Sequence, residues 1–561
     1  MAVTAAVVLL GSAGPASAAD RTEQPVASFA PDAKLVRESY VRLRDPLPAG
    51  SPAHPEACDW ISYLRWRDAK GPKKATKADA ITVLMPGFLG GAKDFDSLAR
   101  NAIRDAAKRK RHIEVWGLDR RANCLEDHHG VQAAVRARSI DPAFDYYYEG
   151  KEVEGQKFAG FKSAQDARFL DDFGLERTVR DWYAILTREV PNQATRKQKV
   201  ICGGHSLGGP LTGAFASWDF DGNEQTTDDA GYNQCAGFVG LDTTVDIDGS
   251  SGGPGDGPGP RNLVAQSGAA PFVNAPPLTP GTMELPSVAA VGSYFHPDEE
   301  STFNRQIPAT PEYEVTLRAL YSRNAVNFAT GQPSIRDFRL TGAAIFAGIF
   351  DDNSAGLSIL RASLGTITGG EVADKNFPAP SPFLAIPIEP NGPLYRWVAY
   401  DKIAADGSPI PLNDEGEPYN TRDGEVTDVQ AFARTYFEAP ADFIEQYFPT
   451  RILTDVVAAE GGDRSDELGN LRHDGPAMRP ILLLQAGDSD DNEPSDAGPA
   501  YVTGEKPNDK PLSREIVLPG YNHLDVVAAA RQQSDGHIEG SSSRLALFVM
   551  KVVPRPPKRK R

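Results

Sequence analysis

Residues 199–210 read KVICGGHSLGGP, and this stretch decides the fold. Residues 199–203 are the kind of short apolar run that forms a buried parallel strand. Gly204-His205-Ser206-Leu207-Gly208 follows at once, a G-x-S-x-G pattern, and then a small-residue segment through Ala216 that predicts a helix. A serine on so sharp a strand-to-helix turn is forced outward at the end of the strand. Only glycine tolerates the crowded positions two before and two after it. Pro210 falls in the first helical turn, where a missing N–H is harmless. Ser206 is therefore the candidate nucleophile, and the rest of the chain is read for what would activate it.

Working outward, residues 34–45 and 59–67 alternate apolar and polar positions and predict antiparallel edge strands. Residues 80–85 (AITVLM) and 112–118 (HIEVWGL) predict strands, the first ending at Pro86-Gly87-Phe88-Leu89-Gly90-Gly91 and the second at Asp119-Arg120-Arg121. Helices are predicted where Phe95, Leu98, Ala102 and Ile103 recur at helical spacing, and again at Val179, Trp182, Tyr183, Leu186 and Val190. Further strands are expected at 235–241, 480–486 and 514–518, and an amphipathic helix near 543–552. This rhythm predicts an α/β fold, a mostly parallel central sheet with helices on both faces. Two stretches interrupt it. Residues 122–170 are rich in His, Tyr and Asp. Residues 248–475 open on a Gly/Pro/Asp loop (248–260) and continue as helices and Pro-rich loops, including AAIFAGIF at 343–350 and the span from Phe432 to Phe448.

The expected organisation is a leader at 1–19, a core at 20–247, an inserted cap at 248–475, the rest of the core at 476–553 and a solvated basic tail at 554–561. A length of 561 residues exceeds what one compact core usually fills and accommodates that elaboration. The leader is apolar at 2–10 and ends in the small-residue run Ala16-Ser17-Ala18-Ala19, as a secretory signal peptide does, although the first basic residue is Arg21. Export is the expectation, with no stable membrane anchor. A net charge of −17 argues against nucleic acid or an anionic membrane as partner and for a neutral or apolar small-molecule substrate. Four cysteines, Cys58, Cys124, Cys202 and Cys235, permit two disulfides in any of three pairings. A buried thiol is an equally good reading of Cys202. Carboxylates cluster at 219–229, but the spacing misses the EF-hand loop, so a solvated acidic loop is the better reading. No metal or other cofactor is expected.

A serine alcohol needs a base. His523, in PGYNHLD at 519–525, directly follows a predicted strand near the C-terminus and is the best candidate. His128 and His129 lie in the first interruption. His473 and His537 lack a preceding strand, and His205 lies within the serine turn and points elsewhere. The base in turn needs a carboxylate to fix its tautomer and stabilise the imidazolium. The strand at 480–486 ends in Gly487-Asp488-Ser489-Asp490-Asp491, and a G-x-x-D spacing there favours Asp490. Asp488 and Asp491 are close rivals. Asp242, straight after the strand at 235–241, is a further alternative.

With MPGFLGG at 85–91, WGLDRR at 116–121, GGHSLGG at 203–209, QAGDSD at 485–490 and YNHLD at 521–525, the chain resembles the α/β-hydrolase superfamily, of the lipase/esterase kind. The last segment is similar to the histidine loop of acid lipases. The matching pieces span the two sheet-forming portions, about half the chain. The resemblance implies a Ser206–Asp490–His523 triad and an oxyanion hole made by the N–H groups of Leu207 and Phe88. Pro86 stands where the family usually carries His. The expected activity is carboxylic ester hydrolysis on a lipid-like or other small ester. A secreted peptidase or amidase with the same triad is the alternative, and only the insert distinguishes the two.

Overall fold

The runs AITVLM, VICGGH and GFVGL are buried at every position. Strands with no solvent face must pack helices on both sides, and they do. The computed structural model describes residues 20–247, 270–487 and 513–555, apart from 379–380, 406, 408–409, 442 and 474. The leader at 1–19, the Gly/Pro/Asp loop at 248–260, Asp488, Asp490, Asp491 and the tail end at 556–561 lie outside the described residues.

A nine-stranded sheet organises the molecule. Its strands are β1 (Arg21–Pro25), β2 (Val36–Arg44), β3 (Trp60–Asp68), β4 (Ala80–Met85), β5 (Ile113–Asp119), β6 (Val200–His205), β7 (Gly237–Leu241), β8 (Ile481–Ala486) and β9 (Arg514–Leu518). Their spatial order is 1-2-3-5-4-6-7-8-9. The first three are antiparallel to their neighbours, and every contact from β5 through to β9 is parallel. Alternate residues serve opposite faces. Val200, Cys202 and Phe238 join the core that includes Trp182 and Phe215. Ile201, Val239 and Leu482 join the one that includes Phe95, Leu98, Leu545 and Val549. The helices on these faces are α1 (Asp96–Lys108), α2 (Leu175–Glu189), α3 (Gly208–Ser217) and the C-terminal helix Gly540–Val552.

The cysteines form two disulfides, Cys58–Cys124 and Cys202–Cys235, so Cys202 is not a free core thiol. The described residues between 270 and 475 contribute no strand to the main sheet. They are not only helix and loop, however. The two-residue strand at 339–340, Gly365–Thr368 and Leu394–Ala399 form one small sheet, and Val372–Lys375 pairs with Ser381–Pro387 in another. Pro-rich composition concealed these short strands. Among the described residues no helix is long and apolar enough to cross a membrane.

Candidate active site

β6 runs straight into α3, and Ser206 stands between them with φ +53°, in the left-handed region that a serine seldom adopts. Backbone pairing holds it there: Ser206 N–H donates to the Leu241 carbonyl (3.1 Å), and Gly209 N–H donates to the Ser206 carbonyl (2.8 Å). A β-carbon at Gly204 would lie 2.2 Å from the Gly208 carbonyl oxygen, and one at Gly208 would lie 2.1 Å from that of Met85. The pattern needs glycine at these two positions because backbone already occupies the space. Leu207 caps α3, so its N–H belongs to the group that a helix N-terminus leaves without an internal partner.

His523 follows β9 by five residues and is 4% exposed. Its Nδ1 lies 2.6 Å from Asp242 Oδ2. The other oxygen of Asp242 accepts the Ala486 N–H (2.8 Å). Burial alone would raise the Asp242 carboxyl, but the hydrogen bond and charge of His523 and the Ala486 N–H outweigh it and hold the group below the usual carboxylate range. Asp490 is the carboxylate expected here, with Asp242 as an alternative; among the described residues it is Asp242 that meets His523. The reason is strand order. β7 lies between β6, which ends at the serine, and β8. The residue after β7, turned at φ +48°, therefore sits one strand over from Ser206 at the same edge of the sheet. Asp490 and its rival Asp488 lie outside the described residues.

His205, set aside as pointing elsewhere, points under the base. Its ring centroid is 4.6 Å from that of His523, and Nε2 pairs with the His523 carbonyl oxygen at 3.0 Å. Only a protonated Nε2 can donate to a carbonyl. Burial, with the neighbouring His523, lowers His205 to about 3, so the ring is neutral. Its Nδ1 is buried with no hydrogen-bond partner among the described residues.

The loop holding the base is tied down by carboxylates. Asp525 accepts the N–H of Asn522 (2.8 Å), the Ser363 hydroxyl (2.6 Å) and the Thr427 hydroxyl. Burial pushes Asp525 up to about 7. The Asn522 side-chain amide donates to Asp352 (2.8 Å), and Leu524 N–H donates to the Arg361 carbonyl (2.9 Å). Ser363, Thr427, Asp352 and Arg361 all belong to the insertion.

On the other flank of Ser206, a β-carbon at Gly87 would come within 2.9 Å of the Ser206 β-carbon. The turn 86–91, expected to supply an oxyanion donor through Phe88, thus abuts Ser206. The remaining histidines considered in the sequence are elsewhere. His129 pairs with the Val153 carbonyl, His537 with Asp535, and His473 packs on Tyr232. The carboxylates of Asp219, Asp221 and Asp229 do cluster, but they serve their own loop. Asp229 accepts the N–H groups of Phe220 and Asp221, and Asp219 pairs with Arg472.

The strand order, the serine turn at the end of β6 and the histidine after the last strand define an α/β-hydrolase fold with an inserted segment between β7 and β8. No family model and no curated protein matches the chain in sequence. Solved structures that it resembles include a lipase in its open form, at 11% identity over 88% of this chain and 96% of that one with a TM-score of 0.29. The peroxisomal α/β-hydrolase Lpx1 of Saccharomyces cerevisiae is 10% identical over 96% and 91%, with a TM-score of 0.33. A proline iminopeptidase of Mycobacterium smegmatis is 12% identical over 88% and 96%, with a TM-score of 0.25.

Proposed function

We propose that the protein is an exported serine hydrolase that cleaves carboxylic esters through an acyl-enzyme. The observations that carry this reading are the Asp242–His523 pair and Ser206 held at positive φ, its N–H bonded to the carbonyl of Leu241, the residue before Asp242. With Nδ1 engaged by Asp242, Nε2 of His523 is the nitrogen left to take the Ser206 proton. Asp242 fixes that tautomer and stabilises the imidazolium. Ser206 Oγ attacks the acyl carbon, and the N–H groups of Leu207 and Phe88 receive the oxyanion. His523 then protonates the leaving alcohol, and water, deprotonated by the same imidazole, releases the acid.

Two disulfides suit an oxidising compartment. The test is labelling by a fluorophosphonate beside a Ser206→Ala control, followed by turnover of p-nitrophenyl esters of increasing acyl length with peptide anilides alongside. Esters turned over and anilides not is the expected result. Equal labelling of the alanine variant contradicts the nucleophile, and preferential anilide turnover contradicts the ester class.

A further inference from the structure

The motif Asp119-Arg120-Arg121 at the end of β5 has no place in the triad, yet its middle residue is buried against the active site. Arg121, also buried, pairs with Asp45 and Asp181 and not with the turn 86–91. Arg120 is 7% exposed and turns inward. A guanidinium carries five N–H donors and no acceptor, so its partners must all be acceptors. Here they are the carbonyls of Pro86, Gly87 (2.7 Å) and Gly90 (2.9 Å), and the carboxylate of Glu445. Three of the four belong to the turn 86–91.

This arrangement fixes a direction. The peptide between Gly87 and Phe88 is trans, as it is absent from the four cis bonds among the described residues. In a planar trans peptide the C=O and the following N–H point opposite ways. Drawing the Gly87 carbonyl onto Arg120 therefore turns the Phe88 N–H away from Arg120. The Asp94 carboxyl lies against the backbone of Gly87 and Gly91, and burial pushes it well up despite the pull of Arg120, which favours its neutral form.

The insertion closes the arrangement. Gly91 N–H donates to the Phe443 carbonyl (2.7 Å), and Glu445 N–H donates to the carbonyl of Leu89 (2.8 Å), itself at φ +56°. Gly90 and Ile444 form an antiparallel bridge. The Phe448 ring meets both the Phe88 ring (centroids 5.0 Å) and the Arg120 guanidinium (5.0 Å). The turn is thus held from the sheet side by Arg120 and from the insertion side by 443–448, with Arg120 and Glu445 as the joint.

We infer that the oxyanion hole is assembled by the insertion: Glu445 seats Arg120, and Arg120 orients the Gly87–Phe88 peptide with its N–H available to the oxyanion. Both are positioning residues. The inference rests on Ser206 being the nucleophile and Phe88 N–H an oxyanion donor. It goes further in making the insertion a part of the catalytic geometry and not only a cover.

The test uses the full chain with Arg120→Met, Arg120→Lys, Glu445→Leu and Glu445→Gln, each checked for a cooperative melt. The readouts are kcat and KM on one p-nitrophenyl ester, and the affinity of an alkyl boronic acid, which becomes tetrahedral on the serine. Losing one oxyanion donor costs roughly 100-fold or more in kcat. Arg120→Met is expected to approach that figure, with Arg120→Lys and Glu445→Leu near 10-fold, and Glu445→Gln, which keeps an acceptor, within about 3-fold. KM is expected to stay within about 3-fold, and boronate affinity to fall in step with kcat. Folded Arg120→Lys and Glu445→Leu with wild-type kcat and boronate affinity would overturn the inference, as would a rise in KM alone. A Ser206→Ala control separates the two levels: if it still turns over ester, the nucleophile assignment has failed, whereas an inactive Ser206→Ala beside fully active Arg120 variants sinks only the positioning claim.

Discussion

The two loops that flank Ser206 are built from opposite charges. The base loop, 519–525, is surrounded by carboxylates: Asp242 on the imidazole, Asp525 on the backbone of Asn522 and Asp352 on its side chain. The turn 86–91 is held by a cation, with Arg120 on three of its carbonyls. On the proposed mechanism His523 gains positive charge, which Asp242 is placed to offset, whereas the charge of Arg120 is paired with Glu445 and serves to hold the turn's carbonyls. The two flanks nonetheless share a feature. Both reach the insertion, one through Ser363, Thr427 and Arg361, the other through Phe443 and Glu445. A sheet alone would leave these loops at its edge, and the inserted segment fixes both of them.

That contrast can be broken one side at a time. Removing the reacting groups comes first: Ser206→Ala or His523→Ala is expected to lower kcat by roughly a million-fold, read as ester hydrolysis against the uncatalysed blank. Asp242→Asn leaves the shape but supplies the wrong partner to Nδ1, and is expected to cost on the order of 10,000-fold. On the other flank the expected loss for Arg120→Met is about 100-fold, because the N–H is displaced and not deleted. A larger loss on the Arg120 side than on the Asp242 side would reverse the ranking of the two flanks.

A smaller effect concerns His205. His205→Phe keeps a ring against His523 but loses the donor to its carbonyl, and is expected to lower kcat about 10-fold, with His205→Gln closer to wild type. The same residue predicts a pH effect. Its folded value is depressed from 6.5 to about 3, so between those values the unfolded chain binds a proton that the folded chain refuses. Its contribution to stability is therefore present above 6.5 and is lost as pH falls toward 3. Melting temperatures at a pH of about 7 and about 4.5 check this, and the drop is expected to be smaller in His205→Gln. Smallest for catalysis, replacing Cys202 and Cys235 by Ala and Ser is expected to lower stability by about 2–5 kcal/mol in denaturant titration while the folded protein keeps its kcat.

Much of this frame was legible in the chain. The apolar runs located the strands, the alternation at 34–45 and 59–67 located the antiparallel pair, and the G-x-S-x-G turn located the serine. Each of these signals is local. The acid was not legible, because aspartates follow both β7 and β8 in the sequence, and which carboxylate meets His523 depends on topology and not on spacing. The partner of Arg120 lies 325 residues away on the insertion, and no periodicity links the two. His205 was passed over for the same reason: its pattern marks a turn, while its role depends on where the chain brings the loop after β9.

The central claim is that Ser206 is activated by His523 with Asp242 behind it. The most direct measurement is the rate of fluorophosphonate labelling of the wild-type chain, Ser206→Ala, Asp242→Asn and Asp490→Asn, side by side. Ser206→Ala is expected not to label, Asp242→Asn to label more slowly by orders of magnitude, and Asp490→Asn to label at the wild-type rate. Slow labelling of Asp490→Asn together with an unimpaired Asp242→Asn would contradict the claim.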